Sequence, residues 1–133
     1  MTNQLYPLYR EAALAGNADF DADTMVMILA RTSGYTFSTA HDFLNDVPGG
    51  SRASTTSALT SKTVTQGTAD AADPVFTSVA SGAACDCVIL TESNGTESTS
   101  QLYAYYDTGT GIPITPNGGN INVTISGSGL FTL

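Results

Sequence analysis

The segment CDCVILTESNGTESTSQLYAYYD, residues Cys85–Asp107, decides the fold because it predicts two adjacent strands and their connection. An apolar run covers Cys87–Leu90, and a second β-prone run covers Gln101–Tyr106. Between them, Asn94-Gly95 readily adopts the positive φ angles that a tight hairpin turn needs. The segment therefore predicts an antiparallel strand pair.

A second segment, TMVMILAR at Thr24–Arg31, is an unbroken apolar run that is too short for a typical helix. Both faces of such a strand are apolar, which is typical of a strand buried between two layers. We therefore expect it to be the central strand. Weaker β patterns predict further strands at Ser51–Thr65, Asp73–Val79 and Ile121–Ile125, with a terminal one in LFTL.

Two short helices are expected outside these strands. Apolar residues recur at helical spacing between residues 5 and 15, Pro7 suits the first turn, and Gly16 suits the end. A second short helix is predicted near residues 39–47, where a hydroxyl residue caps the start and Pro48 ends it. The first helix is too short to be stable alone, so it must dock on another part of the chain or on a neighbour.

The length of 133 residues fits one ordinary domain with a single core. Runs of strands without regular intervening helices imply antiparallel pairing. The sequence therefore predicts a mainly β fold, an antiparallel β-sandwich, in one domain spanning residues 1–133. Within it, residues 1–16 form a helical arm or a docked helix, and residues 24–133 form the sandwich.

Charge and composition disfavour two classes of partner. The net charge is −8, and the four cations, Arg10, Arg31, Arg52 and Lys62, are scattered along the chain. Binding to nucleic acid relies on clustered Lys and Arg, so we expect no nucleic-acid role. The start of the chain lacks a basic region followed by an apolar run, and no stretch approaches the length of a membrane span. We expect a protein made in the cytosol that binds no membrane.

Two groups of residues have part of the pattern of a metal-binding site, but neither has enough ligands to predict that a metal binds. Cys85 and Cys87 lack the two or more further ligands that a metal needs nearby, which favours structural thiols. The acids of Asp19–Asp23 have the spacing that opens a calcium-binding EF-hand loop. Thr24 stands where that loop needs Gly, and Ala30 stands where it needs Glu. We therefore expect no metal, and the acids predict a solvated turn.

Catalytic and phosphate-binding patterns are also missing from the sequence. His41 and the many serines offer no Gly-x-Ser-x-Gly motif. Glu92 and Glu97 flank the expected Asn-Gly turn, where solvent would keep both carboxylates ionised. The segment GTGIPITPNGG lacks the Lys-Ser or Lys-Thr ending of a phosphate loop, and no helix follows it. We therefore expect that the protein is not an enzyme, with no catalytic residues and no cofactor.

The stretch YYDTGTGIPITPNGGNINVTI, Tyr105–Ile125, contains the main candidate for an interaction surface. Tyrosines precede a loop in which Pro113 and Pro116 restrict the backbone, which limits the entropy lost on docking. A protein contact and a simple connection are equally compatible with these residues. The candidate protein-contact residues are Tyr6, Tyr9, Tyr105, Tyr106, Ile112, Pro113, Ile114 and Pro116.

The order of four segments resembles a family of small structural proteins of tailed-bacteriophage virions. These segments are LYREAALAGNADFDADTMVMILAR, HDFLNDVP, ALTSKTVTQGTADAADPVFTSV and YAYYDTGTGIPITPNGGNINVTI, which together span nearly the whole chain. The part DTGTGIPITPNGG is the most specific. The resemblance implies a virion protein, with a capsid cement or decoration role as the expected activity.

On this resemblance we expect a protein that binds the major capsid protein lattice as a symmetric homo-oligomer and stabilises the head. Packaged DNA would repel so acidic a chain, which favours the outer surface of the head. A neck, tail or baseplate component is the nearest alternative. A module that binds host glycans by stacking sugars on Tyr103, Tyr105 and Tyr106 is an alternative of another class.

Overall fold

The fold is mainly β, with antiparallel pairing throughout its sheets, as the sequence predicts. A computed structural model describes residues 3–125 and 127–133. Its strands in that part of the chain are β1 Gln4–Leu5, β2 Met25–Ala30, β3 Arg52–Thr55, β4 Thr63–Thr65, β5 Thr68–Asp70, β6 Val75–Phe76, β7 Cys87–Glu92, β8 Leu102–Tyr106, β9 Ile121–Asn122 and β10 Phe131–Thr132.

These strands form a 5-stranded sheet in the order β1-β8-β7-β2-β3, a 3-stranded sheet β10-β5-β4 and a 2-stranded sheet β6-β9. The burial predicted for the apolar run is confirmed, because all residues of β2 are buried and β2 lies between β7 and β3. The middle position in the sheet belongs to β7, so the prediction that this run is the central strand is wrong. The sandwich arrangement and the single domain stay predictions.

The hairpin predicted around Asn94-Gly95 is confirmed as a strand pair, but its turn is wider than expected. β7 and β8 pair antiparallel, with Ile89 opposite Tyr105. Gly95 has the expected positive φ of 89°. The side-chain oxygen of Asn94 accepts hydrogen bonds from the backbone N–H of Thr96 and the hydroxyl of Ser100, which organises a longer loop.

The first predicted helix is confirmed as α1, Pro7–Leu14, with proline in its first turn. Gly16 follows its end with a φ of 79°, in the left-handed region that glycine adopts without strain. The Tyr9 ring stacks on the Tyr103 ring of β8 with a centroid separation of 4.0 Å. The helix is therefore docked on its own chain.

The second predicted helix, near residues 39–47, is wrong. The chain forms only a 3₁₀ turn at Leu44–Asp46, and a further one follows at Gly49–Ser51. The carboxylate of Asp46 accepts hydrogen bonds from the backbone N–H groups of Asp42 and Phe43, which holds a local turn in place of a helix. The Arg52 guanidinium donates to the carbonyl oxygens of Leu44 and Val47, which further fixes this turn.

The remaining predicted strands are present in shortened form. Ser51–Thr65 divides into β3 and β4, Asp73–Val79 reduces to β6, and Ile121–Ile125 reduces to β9. The terminal strand expected in LFTL is confirmed as β10. β5 was not predicted from the sequence, although Gln66 and Gly67 both have positive φ, 52° and 82°, as in the two-residue turn of a tight hairpin.

Both faces of β8 are covered by segments that are not strands of its sheet. Tyr105 and Tyr106 are consecutive in β8, so their side chains point to opposite faces. The Tyr106 hydroxyl donates to the carbonyl oxygen of Leu130 at 2.9 Å. On the other face, the Tyr105 ring lies 5.4 Å from the Phe37 ring and 6.2 Å from the Tyr35 ring. The irregular segments at residues 35–37 and before β10 therefore serve as covering layers.

Tyr103 should contribute strongly to stability, because it is fully buried and contacts the rings of Tyr9 and Phe20. We expect Tyr103→Ala to lower the free energy of unfolding by about 3–5 kcal/mol, measured by urea denaturation. Leu14→Ala is the control, because the Leu14 side chain is 86% exposed, and its effect should stay within about 0.5 kcal/mol. Equal losses in the two variants would contradict the place of Tyr103 in the core.

Candidate protein-contact surface

The loop at residues 107–120, which connects β8 to β9, is fixed to the body of the protein at its first residues. The side-chain oxygen of Asn3 accepts hydrogen bonds from the backbone N–H groups of Asp107 and Thr108, at 2.9 and 3.0 Å. The Asn3 amide in turn donates to the Thr108 carbonyl oxygen. One side chain near the start of the chain therefore sets how the loop leaves β8.

Backbone pairs fix the rest of the loop. Thr110 exchanges two hydrogen bonds with Thr124, at 2.8 and 2.9 Å, and Ile114 exchanges two with Cys85, at 2.7 and 2.9 Å. Val79 bonds to two successive loop residues, accepting from the Gly118 N–H and donating to the Gly119 carbonyl. Attachment at three separate places makes the loop a defined surface and not a projecting arm.

Gly111 allows the closest approach between the loop and β9. Its φ is 102°, and a Cβ atom placed there would lie 2.3 Å from the carbonyl oxygen of Asn122. Atoms at that separation overlap severely, so only glycine fits. Gly118 also has a positive φ, 93°, but open space surrounds the position of its missing Cβ.

Of the predicted contact residues, the tyrosines belong to the core, which corrects the expectation that they form a surface. Tyr9 is 4% exposed, Tyr106 3%, Tyr105 1% and Tyr6 0%. Each tyrosine ring buries a large apolar area, and the hydroxyl group of a buried tyrosine usually finds a hydrogen-bond partner inside the protein. A tyrosine in a strand can pack in the core or form part of an interface, and its place in the sequence does not distinguish the two. The sequence could therefore not show that these tyrosines are buried.

The hydroxyl groups of Tyr6 and Tyr35 have partners inside the protein. The Tyr6 and Tyr35 hydroxyl groups lie 2.8 Å apart, and the Tyr35 hydroxyl lies 2.8 Å from Nδ1 of His41. Burial raises the pKa of Tyr35 to about 12 and raises that of Tyr6 still further. These groups therefore stay neutral at physiological pH. His41, for which the sequence offers no catalytic motif, lies at the end of this hydrogen-bond network.

The loop residues among the candidates divide between core and surface. Ile112 and Ile114 are half-buried and pack against the core, Pro116 is buried, and Pro113 is exposed. The exposed polar residues of the same loop were not among the predicted contact residues. Thr108, Thr110, Thr115 and the run Asn117–Asn120 are exposed. We call these residues, together with Pro113, the loop surface; it carries hydroxyl, amide and backbone groups but no ionisable side chain.

A cleft of about 500 Å³ borders the loop surface. It is lined by Thr32, Tyr35, Thr36, Phe37, Asp86, Tyr105, Asp107 and Pro113, which come from four separate segments of the chain. We call it the Asp86–Asp107 cleft. No local sequence pattern predicts it, because the fold brings together residues that are far apart in the chain.

The carboxylates give the Asp86–Asp107 cleft a negative field. Asp86 accepts hydrogen bonds from the backbone N–H and the hydroxyl of Thr32, at 2.8 and 2.5 Å. Burial first, and then the proximity of Cys87, Asp107 and Asp86, raises the pKa of Tyr105. The two aspartates therefore act on the same tyrosine hydroxyl from the cleft.

Within the described residues, no group of three or more His, Cys, Asp or Glu side chains could hold a metal ion. In the segment that resembles a calcium loop, the Asp19 carboxylate accepts hydrogen bonds from the N–H groups of Asp21 and Ala22. The Lys62 ammonium donates to the carbonyl oxygens of Phe20 and Asp23. A lysine thus occupies the position near these carbonyls, and the acids form an ordinary turn.

The cysteines are both buried and free, as expected for structural thiols. Burial raises the pKa of Cys87 to about 12, which keeps the thiol protonated and unreactive at neutral pH. In the part of the chain that the structure describes, no helix has the length and apolar character needed to cross a membrane.

Comparison with protein-family models and with curated proteins finds no match to this chain.

Alanine substitutions at Gly111 and Gly118 separate two effects on the free energy of unfolding: the strain of a positive φ, which both positions share, and the close approach to Asn122, which only Gly111 makes. Gly118→Ala should cost about 1–2 kcal/mol, because alanine is strained in the left-handed region. Gly111→Ala adds a clash with Asn122, so its loss in unfolding free energy should exceed that of Gly118→Ala by about 1–3 kcal/mol. Chemical denaturation measures both. Equal losses would show that the loop does not approach β9 as described.

Proposed function

We propose that this chain is a structural protein of a tailed-phage particle, which binds the major capsid protein lattice and stabilises the head. The observation that carries the proposal is the loop surface, an exposed and uncharged set of residues held in a fixed shape by hydrogen bonds at three places. The same loop contains DTGTGIPITPNGG, the segment on which the resemblance to small virion proteins is most specific.

A fixed loop is suited to protein binding for energetic reasons. A partner that docks on it need not order a flexible segment, so less of the interaction energy is lost as conformational entropy. Threonine and asparagine side chains offer hydrogen-bond donors and acceptors without the desolvation penalty of charged groups. Weak contacts of this kind become strong when a symmetric assembly repeats them.

The charge of the chain supports a location on the outer surface of the head. The net charge of −8 would be repelled by packaged DNA, so contact with the genome is unfavourable. In this proposal the protein acts as a symmetric homo-oligomer, without catalysis and without a cofactor. Nucleic acid and membranes are not among its partners.

The burial of Tyr103, Tyr105 and Tyr106 weighs against the glycan-binding alternative. None of these side chains is more than 3% exposed, so their rings do not form a platform on which a sugar could stack. The proposal therefore keeps protein as the partner. A neck, tail or baseplate location is distinguished from a head location by the number of copies in the particle.

Quantitative mass spectrometry of purified virions of the phage that encodes the chain tests the proposed location. We expect on the order of hundreds of copies per particle, because a lattice protein follows the symmetry of the shell. A count of about six or twelve would place the protein in a neck or tail ring instead. Absence from purified virions would contradict a structural role altogether.

The loop surface itself is tested by a matched pair of substitutions. Thr115 is exposed in the loop, and Thr63 is exposed in the edge strand β4. Thr115→Arg should reduce incorporation into particles at least about tenfold, because a bulky charge is buried at the interface without a partner. Thr63→Arg makes the same chemical change elsewhere and should leave incorporation unchanged. Equal incorporation of the two folded variants would contradict docking through the loop surface.

A further inference from the structure

A second cleft, of about 430 Å³, lies between helix α1 and the ends of the strands β7 and β8. Leu8 and Ala12 of the helix line it, together with Ala15 just after the helix. Their spacing of four and three residues places these side chains on one face. Residues 42–43, Glu92 and nearby polar residues complete the lining. We call it the α1 cleft.

Apolar side chains of the α1 cleft remain partly open to solvent. Leu8, Ala12 and Phe43 are half-buried, and Ala15 is exposed. In the described part of the chain, the half-buried apolar residues that pack against the core include neither Leu8, Ala12 nor Phe43. Apolar area that the core leaves uncovered inside a cleft favours a partner that brings an apolar side chain of its own.

Carboxylates make the α1 cleft acidic. Glu11, Asp42 and Glu92 line it, and among the described residues of the lining there is no Lys, Arg or His. Burial first, and then the proximity of Asp46, raises the pKa of Asp42. A cleft lined by charges of one sign concentrates their field, so the α1 cleft attracts a positively charged group.

The four cations of the chain all lie outside the α1 cleft. Arg31, Arg52 and Lys62 donate hydrogen bonds to backbone carbonyl oxygens elsewhere in the fold. Arg10 belongs to α1, but it lines a separate cleft with residues of β1 and β10. A second copy of the chain fits the α1 cleft less well than a basic partner, because each copy carries a net charge of −8. The complementary cation therefore comes from a different protein.

The α1 cleft and the loop surface lie at opposite ends of β8. Gln101, which lines the cleft, precedes β8, and the loop at residues 107–120 follows it. Six residues of extended chain, from 101 to 107, span about 20 Å. Two partners can therefore be bound at once, which is what a protein that bridges neighbouring subunits needs.

We propose that the α1 cleft binds a basic segment of a neighbouring protein subunit. An apolar side chain of that segment packs on Leu8, Ala12 and Phe43, and a lysine or arginine beside it pairs with the carboxylates of the cleft. This inference rests on the proposed function for the identity of the partner as a subunit of the same particle. It adds the second contact that bridging requires, and it gives the chemistry by which that contact is recognised.

The test is an NMR titration of the full chain with the peptide acetyl-Lys-Lys-Leu-Lys-Lys amide. An ionic strength of about 0.15 M screens charges more than about 8 Å apart. We expect saturable shifts of the backbone amide signals of Ala12, Phe43 and Gln101. Acetyl-Lys-Lys-Ser-Lys-Lys amide should bind at least about fivefold more weakly, because it keeps the charge but buries less apolar area. Acetyl-Glu-Glu-Leu-Glu-Glu amide should cause no shifts.

A matched pair of substitutions locates the peptide. Ala15→Arg places a cation in the cleft lining and should weaken binding at least about tenfold, because like charges then meet at the contact. Leu14→Arg is the control, since Leu14 is 86% exposed and lies outside the cleft lining. It should change the dissociation constant by less than about twofold. Equal losses in the two variants would overturn the inference.

A further variant keeps the test decisive if Ala15→Arg perturbs the helix. Glu11→Gln removes one carboxylate of the cleft with little change of shape and should weaken peptide binding about threefold. Asp73→Asn, which removes a carboxylate at an exposed site outside the cleft, should leave binding unchanged.

Other outcomes would assign the α1 cleft differently. Equal binding of the leucine and serine peptides, or shifts confined to residues outside the cleft, would overturn the inference. Concentration-dependent shifts of the cleft signals without peptide would assign the cleft to a second copy and overturn it as well. If the chain is found in virions but fails the titration, the inference alone fails and the proposed function stands.

Discussion

Burial of the central strands on both faces is the constraint on which the rest of the structure depends. β2 is buried at every residue, as is β8, and β7 is buried except at Glu92. Each large apolar side chain removed from water contributes about 1.5–3 kcal/mol, so exposing either face would be very unfavourable. The other sheets are small, and irregular segments must therefore cover much of the central one. This explains why a chain with short strands still has an extensive core.

The same constraint shapes the candidate surface. The loop that follows the buried tyrosines of β8 packs against the core through Ile112 and Ile114. Half-burial of Ile112 and Ile114, and the bonds of the loop to Cys85 and Val79, fix its outer residues in place. The Asp86–Asp107 cleft arises where this loop meets residues 32–37. The same contacts of the loop therefore complete the core and fix the shape of the loop surface.

Sequence patterns predict the parts of this fold that depend on local chemistry. The apolar run of β2, the β7–β8 pair and the proline-started helix α1 are clear from periodicity and turn residues. The helix expected near residues 39–47 fails because the Asp46 side chain bonds to the backbone of its own segment, a competition that apolar spacing does not reveal. The cleft could not be predicted, since its lining residues meet only through tertiary packing.

We propose that the loop at residues 107–120 is a preformed surface for a neighbouring protein in a virion. A cryo-electron microscopy map of the particle that contains this chain tests it most directly. We expect Thr115 and the exposed residues around it to lie against another subunit, with the loop held by the same hydrogen bonds to Thr124, Cys85 and Val79. A map in which the whole loop faces solvent, with no contact to any neighbour, would contradict it.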